Sequence, residues 1–189
     1  PFQPLEPTRD LARDVRGVDR AQRALWFRRH RRHPHQGPPL GGGWKRGAFR
    51  QAIGRSRGGQ TSKLHGLTDE IGRPRVLLIS PGNTNDIQMA GALVEAAGPF
   101  TRLIADRGYD ANHLRQLIAA RGAQAVIPST TSRKAPMPYD TEAYRARNLV
   151  ERMWCRLKDW RRIHTRYDKL ARNFLSAALI AATIIYWIN

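Results

Sequence analysis

The chain has 189 residues, with 33 Lys and Arg against 15 Asp and Glu and a formal net charge of +18. This length fits one ordinary domain with additional segments, and 41% hydrophobic residues is enough for a core, which excludes a wholly disordered chain. The charge predicts a polyanionic partner, most simply nucleic acid, with an anionic membrane surface as the weaker alternative. The single cysteine, Cys155, has no partner within the chain for a disulfide and indicates a reducing compartment.

The first 50 residues are rich in Arg, Pro, Gly and His, and carry 12 Lys and Arg against 4 acids. The stretch RALWFRRHRRHPHQGPPLGGGWKRG shows neither helical nor strand periodicity for more than a few residues. Two interpretations stay open: a basic arm that folds on nucleic acid, or text that is read out of frame. We therefore predict that 1–50 is disordered or out of frame and that 51–189 forms the folded domain.

From residue 51 onward the pattern is that of a folded α/β domain. Predicted strands lie at 61–67, 75–80, 102–105 and 123–129, and predicted helices at 86–97, 111–121, 141–163 and 170–188. The turn residues TDEIGRP join the first two strands as a hairpin, and Asp86 and Asp110 are predicted to cap the first two helices. Strands that alternate with helices indicate a mixed sheet.

No signal peptide is visible, and the long apolar run FLSAALIAATIIYWI is shorter than the roughly 20 residues that a spanning helix needs. The run predicts a buried C-terminal helix, with a membrane anchor as the minor alternative.

The stretch YRARNLVERMWCRLKDW, at 144–160, places one acid in a basic row. At about 100° per residue, Tyr144, Arg147, Glu151 and Lys158 share one narrow stripe. The predicted buried face comprises Leu149, Val150, Met153, Trp154, Leu157 and Trp160. A plain structural interpretation exists, because Arg147 and Glu151 are spaced for a surface ion pair worth a few tenths of a kcal/mol.

The stretch LIADRGYD ends a predicted strand at Asp106, at the edge of the sheet where site carboxylates are common. The competing interpretation is a turn cap, although Asp110 already fits that role. A strand-end carboxylate and a helix carboxylate in a basic protein suggest a shared Mg²⁺, which takes oxygen ligands and is often completed by substrate phosphate. Two such ions would stabilise both oxygens of an in-line phosphoryl displacement.

The spacing Tyr144-x2-Arg147-x3-Glu151-x6-Lys158 resembles the Y-x2-R-x3-E-x6-K pattern of bacterial insertion-sequence DDE transposases, of the IS four and IS five groups. DRGYD resembles the second-Asp motif of that family, and GRSRGGQTSKLHGLTD its upstream strand region. The resemblance covers about 51–189. It implies a ribonuclease H-like fold and two-metal cleavage and strand transfer at insertion-sequence ends, with Mg²⁺ or Mn²⁺ as cofactor.

On this resemblance, Asp106 and Glu151 are the catalytic metal ligands. Tyr144, Arg147 and Lys158 face double-stranded DNA, both transposon ends and target. A functional protein would be a homo-oligomer in the bacterial cytoplasm, associated with the nucleoid and not with a membrane.

The first catalytic Asp of the family is not assigned in this chain. The family carries that Asp on an apolar strand before the GRSRGG region, and no such run is evident here. Asp10, Asp14 and Asp19 lie in polar text with helical spacing and are not carried over. We therefore expect that the first strand is missing with its carboxylate, as in a truncated or frameshifted and inactive copy.

Three functions stay open from the residues: a DDE transposase, a non-catalytic basic DNA-binding remnant, and an RNA-binding basic protein. The net charge of 51–189 is still +10, from 21 Lys and Arg against 11 acids, so the expectation of a nucleic-acid partner does not depend on the first segment.

Overall fold

The computed structural model describes residues 24–29, 33–34, 51–56 and 59–188, the first two ranges as backbone only. Seven strands in this part of the chain form one mixed sheet. They are β1 (Ala24–Arg29), β2 (His33–Pro34), β3 (Gly54–Ser56), β4 (Gly59–Thr68), β5 (Pro74–Pro81), β6 (Arg102–Ala105) and β7 (Gln124–Val126). The helices are α1 (Asp86–Ala96), α2 (Asn112–Ala120), α3 (Thr141–Arg145), α4 (Asn148–Lys158), α5 (Arg161–His164) and α6 (Ala171–Thr183). The predicted α/β class with a mixed sheet is confirmed.

The main strands lie in the order β5-β4-β1-β6-β7. β4 runs antiparallel to both of its long neighbours, whereas β1, β6 and β7 are parallel to one another. The short strands β2 and β3 pair with β4 near its start. The carboxyl ends of β1, β6 and β7 therefore meet at one edge of the sheet, which also receives the start of β4.

The expectation that the first strand is missing is wrong. β1 lies in the centre of the sheet, with Trp26 paired to Thr68 of β4 and to Ile104 of β6. Sequence patterning overlooked it because only four apolar residues, ALWF, precede two arginines, without the alternation of a half-buried strand. The central strand of a sheet with helices on both faces needs no such alternation.

Helices cover both faces of the sheet, and alternate residues of β6 serve the two sides. Leu103 and Ala105 point to the layer of α1 and α2, while Ile104 points to the layer of α4 and α6. The first layer is centred on Leu67, Leu93, Val94, Phe100, Tyr109, Leu114 and Ile118. The second is centred on Leu64, Leu77, Val150, Met153, Trp154, Leu157 and Phe174.

The predicted long helix at 141–163 is divided into three helices. Between α3 and α4 the backbone tightens, with Arg147 N–H bonded to Tyr144 O at 3.0 Å and Leu149 N–H to Ala146 O at 3.1 Å. Trp160 then adopts an extended backbone and starts α5. Trp160 is 40% exposed, so its assignment to the buried face was wrong.

The C-terminal helix is buried along one face only. Phe174 and Ala178 of α6 are fully buried, whereas Ile180 and Trp187 are more than half exposed. In the described part of the chain, Ala171–Ile188 is the one helix that is long and apolar enough to cross a membrane by length and composition, and 28% of it is buried. The predicted burial of this helix is thus confirmed for the side that packs on the sheet.

Gly66 of β4 allows α4 to pack directly against the sheet. A Cβ atom at this position would lie 2.9 Å from the Trp154 ring and 3.0 Å from Leu77. Gly91, within α1, has nothing within 4 Å of the same virtual atom.

We expect Gly66→Ala to lower the free energy of unfolding by about 1–3 kcal/mol, because the added methyl overpacks a rigid contact. Gly91→Ala is the matched control and should raise stability by about 0.4–1 kcal/mol through lower entropy of the unfolded chain. Urea unfolding of both variants measures the difference. Equal effects of the two substitutions would contradict the packing described here.

Candidate active site

Asp106 stands at the carboxyl end of β6, where the sequence predicted it. Its backbone is extended, and its side chain accepts a hydrogen bond from the Gly108 N–H at 2.9 Å, which caps the short 3-10 helix Arg107–Tyr109. A Cβ atom at Gly108 would approach the Asp106 Oδ1 atom to 2.9 Å, so glycine leaves the carboxylate its place. The capping interpretation therefore applies to Asp106, which is still partly exposed at the sheet edge.

Asp110 has a different role from the predicted helix cap. Its side chain is fully buried and pairs with two arginines, Arg115 Nη2 and Arg133 Nη2, each 2.9 Å from Oδ1. The Thr130 N–H donates to Oδ2 at 2.8 Å, and Arg115 Nη2 also donates to the Ile127 carbonyl at 2.7 Å. α2 itself begins at Asn112 without a side-chain cap.

These contacts explain the electrostatics of Asp110. The hydrogen bond from Arg133, supported by those from the Thr130 N–H and Arg115, holds the pKa of the Asp110 carboxyl well below its usual range, although burial acts in the opposite direction. The carboxylate thus joins the DRGYD turn to the end of β7 and to the loop that leads to α3.

Tyr144, Arg147 and Glu151 form a connected row across α3 and α4. The Arg147 guanidinium lies over the Tyr144 ring, 5.8 Å from its centroid, and its Nη2 atom is 2.8 Å from Glu151 Oε1. Both members of the ion pair are about one-third exposed. The simple ion pair allowed by the spacing is therefore present.

The charge of Asp106 reaches Tyr144. Burial raises the pKa of Tyr144, and the nearby charges of Arg147 and Asp106 act on it with opposite signs. Tyr139 packs edge-on against the same ring, with centroids 5.5 Å apart. Arg147 thus contacts both Tyr144 and Glu151, and the charge of Asp106 acts on Tyr144.

Lys158 lies farther from this group. It is the last residue of α4, about 10 Å beyond Glu151 along the helix axis, and is partly exposed. Within the described ranges, no group of three or more His, Cys, Asp and Glu side chains is close enough to hold a metal ion.

Sequence reasoning missed three buried polar contacts near this edge. Lys63 Nζ is 3.0 Å from Asp86 Oδ1 and donates to the Thr84 carbonyl at 2.6 Å, so Asp86 anchors the turn after β5 rather than capping α1. His65 Nε2 lies 2.7 Å from Ser80 Oγ, a buried contact between β4 and β5. Polar residues within predicted strands were the available signal. Their spacing in the sequence does not reveal which residues of other segments they contact.

Arg166 is the third such residue, and it is completely buried. It donates to the Gln51, Asp168 and Lys169 carbonyls and to the Ser62 hydroxyl, and its guanidinium lies 5.4 Å from the Phe174 ring centroid. Burial lowers the pKa of Arg166 to about 10. This side chain fastens the segment before β3 to the loop between α5 and α6.

The chain thus forms a mixed α/β domain with an aspartate at a strand end and a glutamate in a basic row on a helix. Residues 103–187 match the transposase DDE domain family. The chain is 33% identical over 127 residues to a protein of Brucella ovis named as a transposase for insertion sequence element IS6501, covering 67% of this chain and 98% of that protein. It is 28% identical over 137 residues to one of Burkholderia cepacia named for element IS402, covering 67% of this chain and 63% of that protein.

The chain belongs to the DDE transposases of insertion sequences. No solved structure matches it significantly.

We expect Asp110→Asn to lower the free energy of unfolding at pH 7 by about 3–5 kcal/mol, because the buried Arg115 and the partly buried Arg133 lose their counter-charge. The folded pKa of Asp110 is depressed, so this stabilisation is present above the unfolded carboxyl pKa of about 4 and is lost as pH falls toward the folded pKa. The difference between wild type and variant should therefore shrink below about pH 4 in urea titrations.

The control is Asp159→Asn, at an exposed acid after α4, which should change stability by less than about 0.5 kcal/mol. If Asp110→Asn also changes the free energy of unfolding by less than about 0.5 kcal/mol, and leaves its dependence on acidic pH unchanged, Asp110 does not anchor the site.

Proposed function

We propose that the chain is the catalytic domain of an IS four or IS five group transposase, and that this copy binds insertion-sequence and target DNA but does not carry out strand transfer. The observation that carries the proposal is Arg147 in contact with the Tyr144 ring and with Glu151, with Asp106 at the end of β6. It combines acids suited to a hard cation with cations suited to phosphate.

In this proposal each residue has a definite task. Arg147 and Lys158 hold DNA phosphates, and Tyr144 orients Arg147 through the contact with its ring. Because Arg147 pairs with Glu151 in the absence of DNA, a phosphate that engages the guanidinium would release the carboxylate for a cation. DNA binding and cation binding at this edge should therefore reinforce each other.

Asp106 and Glu151 fit one Mg²⁺ or Mn²⁺ completed by water and a DNA phosphate, since Mg²⁺ is often held by only one or two carboxylates. Such an ion would supply charge for the phosphoryl oxygens. The two acids fall one short of the three that the family pattern implies for a two-metal site. We derive no two-metal reaction for this copy.

The first acid of the family pattern is expected on the strand before the GRSRGG region, which is the central strand β1 in this sheet. β1 has the sequence ALWFRR and contains no Asp or Glu. Phe27 is paired with Ala105, so one position further along the two parallel strands are Arg28 and Asp106. By that register Arg28, and not an acid, stands next to the position of Asp106.

The central place of β1 argues against the out-of-frame interpretation of residues 1–50, because a segment read out of frame would not supply the central strand of the sheet. We also propose a ribonuclease H-like fold, supported by a central β1 with antiparallel β4 on one side and parallel β6 on the other. Two further expectations follow from the proposed activity alone. The protein would be located at the bacterial nucleoid, and it would assemble into homo-oligomers.

The alternative function, a non-catalytic DNA-binding remnant, is favoured by the same absence of an acid in β1. The two differ in whether Asp106 and Glu151 still hold a cation.

Binding to a 30-base-pair duplex, measured by fluorescence anisotropy over a salt series, tests the DNA interface. We expect the double variant Arg147→Gln with Lys158→Gln to reduce the slope of log K against log salt by about 2, because two phosphate contacts are removed. The variant Arg75→Gln with Arg121→Gln removes the same charge from exposed positions elsewhere and should change the slope little. Tighter binding to single-stranded RNA, indifferent to the first variant, would support the RNA-binding alternative instead.

Incubation of the same duplex with Mg²⁺ or Mn²⁺ tests the catalytic half of the proposal. We expect no strand transfer, because β1 provides no carboxylate beside Asp106. Metal-dependent nicking that disappears in Asp106→Ala would overturn the proposed loss of activity.

A further inference from the structure

A second basic row runs along α4, away from the Glu151 stripe. Arg152 and Arg156 are exposed and lie one turn apart, about 100° and 140° around the helix from Glu151. In the described part of the chain, neither guanidinium is within ion-pair distance of a carboxylate. These two side chains are therefore separate from the catalytic row and are not neutralised by it.

Helix stability accounts for only one of these arginines. Arg156 lies in the last turn of α4, where a cation stabilises the helix dipole. Arg152 lies near the middle, and like charges four residues apart repel each other by a few tenths of a kcal/mol. An anion shared by the pair would reverse that repulsion.

The two arginines border a groove between α4, the β4–β5 turn and the C-terminal segment. The groove has a volume of about 200 Å³, with Leu149 and Met153 contributing apolar surface and Gly72 on the opposite wall. Tyr186 closes one side, and the Arg156 guanidinium lies 5.6 Å from its ring centroid. Glu70, on the same turn, is exposed but does not line the groove.

Tyr186 adds a neutral polar group to this cationic wall. Burial raises the pKa of Tyr186 although Arg156 and Arg152 act to lower it, so the hydroxyl is protonated at neutral pH and can donate a hydrogen bond. Two guanidinium groups and a phenol around a half-open groove are suited to a phosphate anion.

We propose that Arg152 and Arg156 form a second phosphate-binding site, on the Tyr186 side of α4, that holds the sugar-phosphate backbone of duplex DNA. The inference rests on the proposed DNA-binding function and adds a contact outside the catalytic row. Duplex DNA is favoured over free phosphate because two separate guanidinium groups can each contact a different phosphate of one strand. The open groove and the net charge of +18 favour an extended polyanion as well.

Cys155 reports on this side of α4. It is the single cysteine of the chain, and it is exposed about 40° around the helix from Glu151 and about 60° from Arg152. It is also close enough to influence the pKa of Tyr186. Alkylation of the purified chain by iodoacetamide therefore reads the accessibility of one known position.

We expect a saturating 30-base-pair duplex to slow Cys155 alkylation several-fold in the wild type. Arg152→Gln with Arg156→Gln should abolish this protection and reduce the salt slope of binding by about 2, and each single substitution should reduce it by about 1. Arg152→Lys with Arg156→Lys should preserve the slope, because the charge is kept. Thermal unfolding establishes that each variant is folded, and the single variants serve if the double variant is not.

The control Arg75→Gln with Arg121→Gln should retain full protection of Cys155. Identical behaviour of this control and of Arg152→Gln with Arg156→Gln would overturn the inference, as would unprotected Cys155 in a saturated complex. Inorganic phosphate at millimolar concentration should leave alkylation unchanged, and equal protection by phosphate alone would replace the DNA backbone with a free-phosphate site. Failure of the wild type to bind any duplex would instead refute the proposed function itself.

Discussion

The geometry of the candidate site depends on one buried carboxylate, Asp110. It is fully enclosed and neutralised by Arg115 and Arg133, with a further hydrogen bond from the Thr130 backbone. Unpaired burial of any of these charges would cost several kcal/mol, so the three segments that carry them are held together. Those segments are the DRGYD turn, α2 and the loop after β7, which continues through Asp140 into α3 and hence to Tyr144.

The two acids of DRGYD therefore have distinct roles. Asp110 holds the scaffold, whereas Asp106 ends β6 and is left partly exposed at the sheet edge. The spacing of four residues allows this division, because the 3-10 turn Arg107–Tyr109 directs Tyr109 into the core between them. The sequence predicted the position of Asp106 correctly but assigned the capping role to the wrong aspartate, since both follow a strand and precede a helix.

Sequence patterns correctly predicted the elements whose formation depends on residues close together in the chain. The predicted strand at 102–105 is confirmed residue for residue, and the β4–β5 hairpin forms around Asp69, whose side chain accepts from the Ile71 and Arg73 N–H groups. Contacts between segments that are distant in the sequence could not be predicted from such patterns. The central position of β1 depends on hydrogen bonds to β4 and β6, and the groove beside Arg152 and Arg156 depends on three segments that are distant in sequence.

The proposed DNA-binding surface contains one arginine that is paired with a carboxylate and two arginines that are not. Arg147 is paired with Glu151, and exchange of that partner for a phosphate links DNA binding to cation binding. Arg152 and Arg156 have no such carboxylate among the described residues and would contribute to affinity directly. Neither of these properties depends on a carboxylate in β1.

The central claim is that Asp106 and Glu151 converge on one cation whose binding is linked to DNA. Titration of Mn²⁺ followed by electron paramagnetic resonance, with and without duplex DNA, tests it most directly. We expect weak Mn²⁺ binding that duplex DNA strengthens and that both Asp106→Asn and Glu151→Gln abolish. Mn²⁺ binding that is unchanged in both variants, with or without DNA, would contradict it.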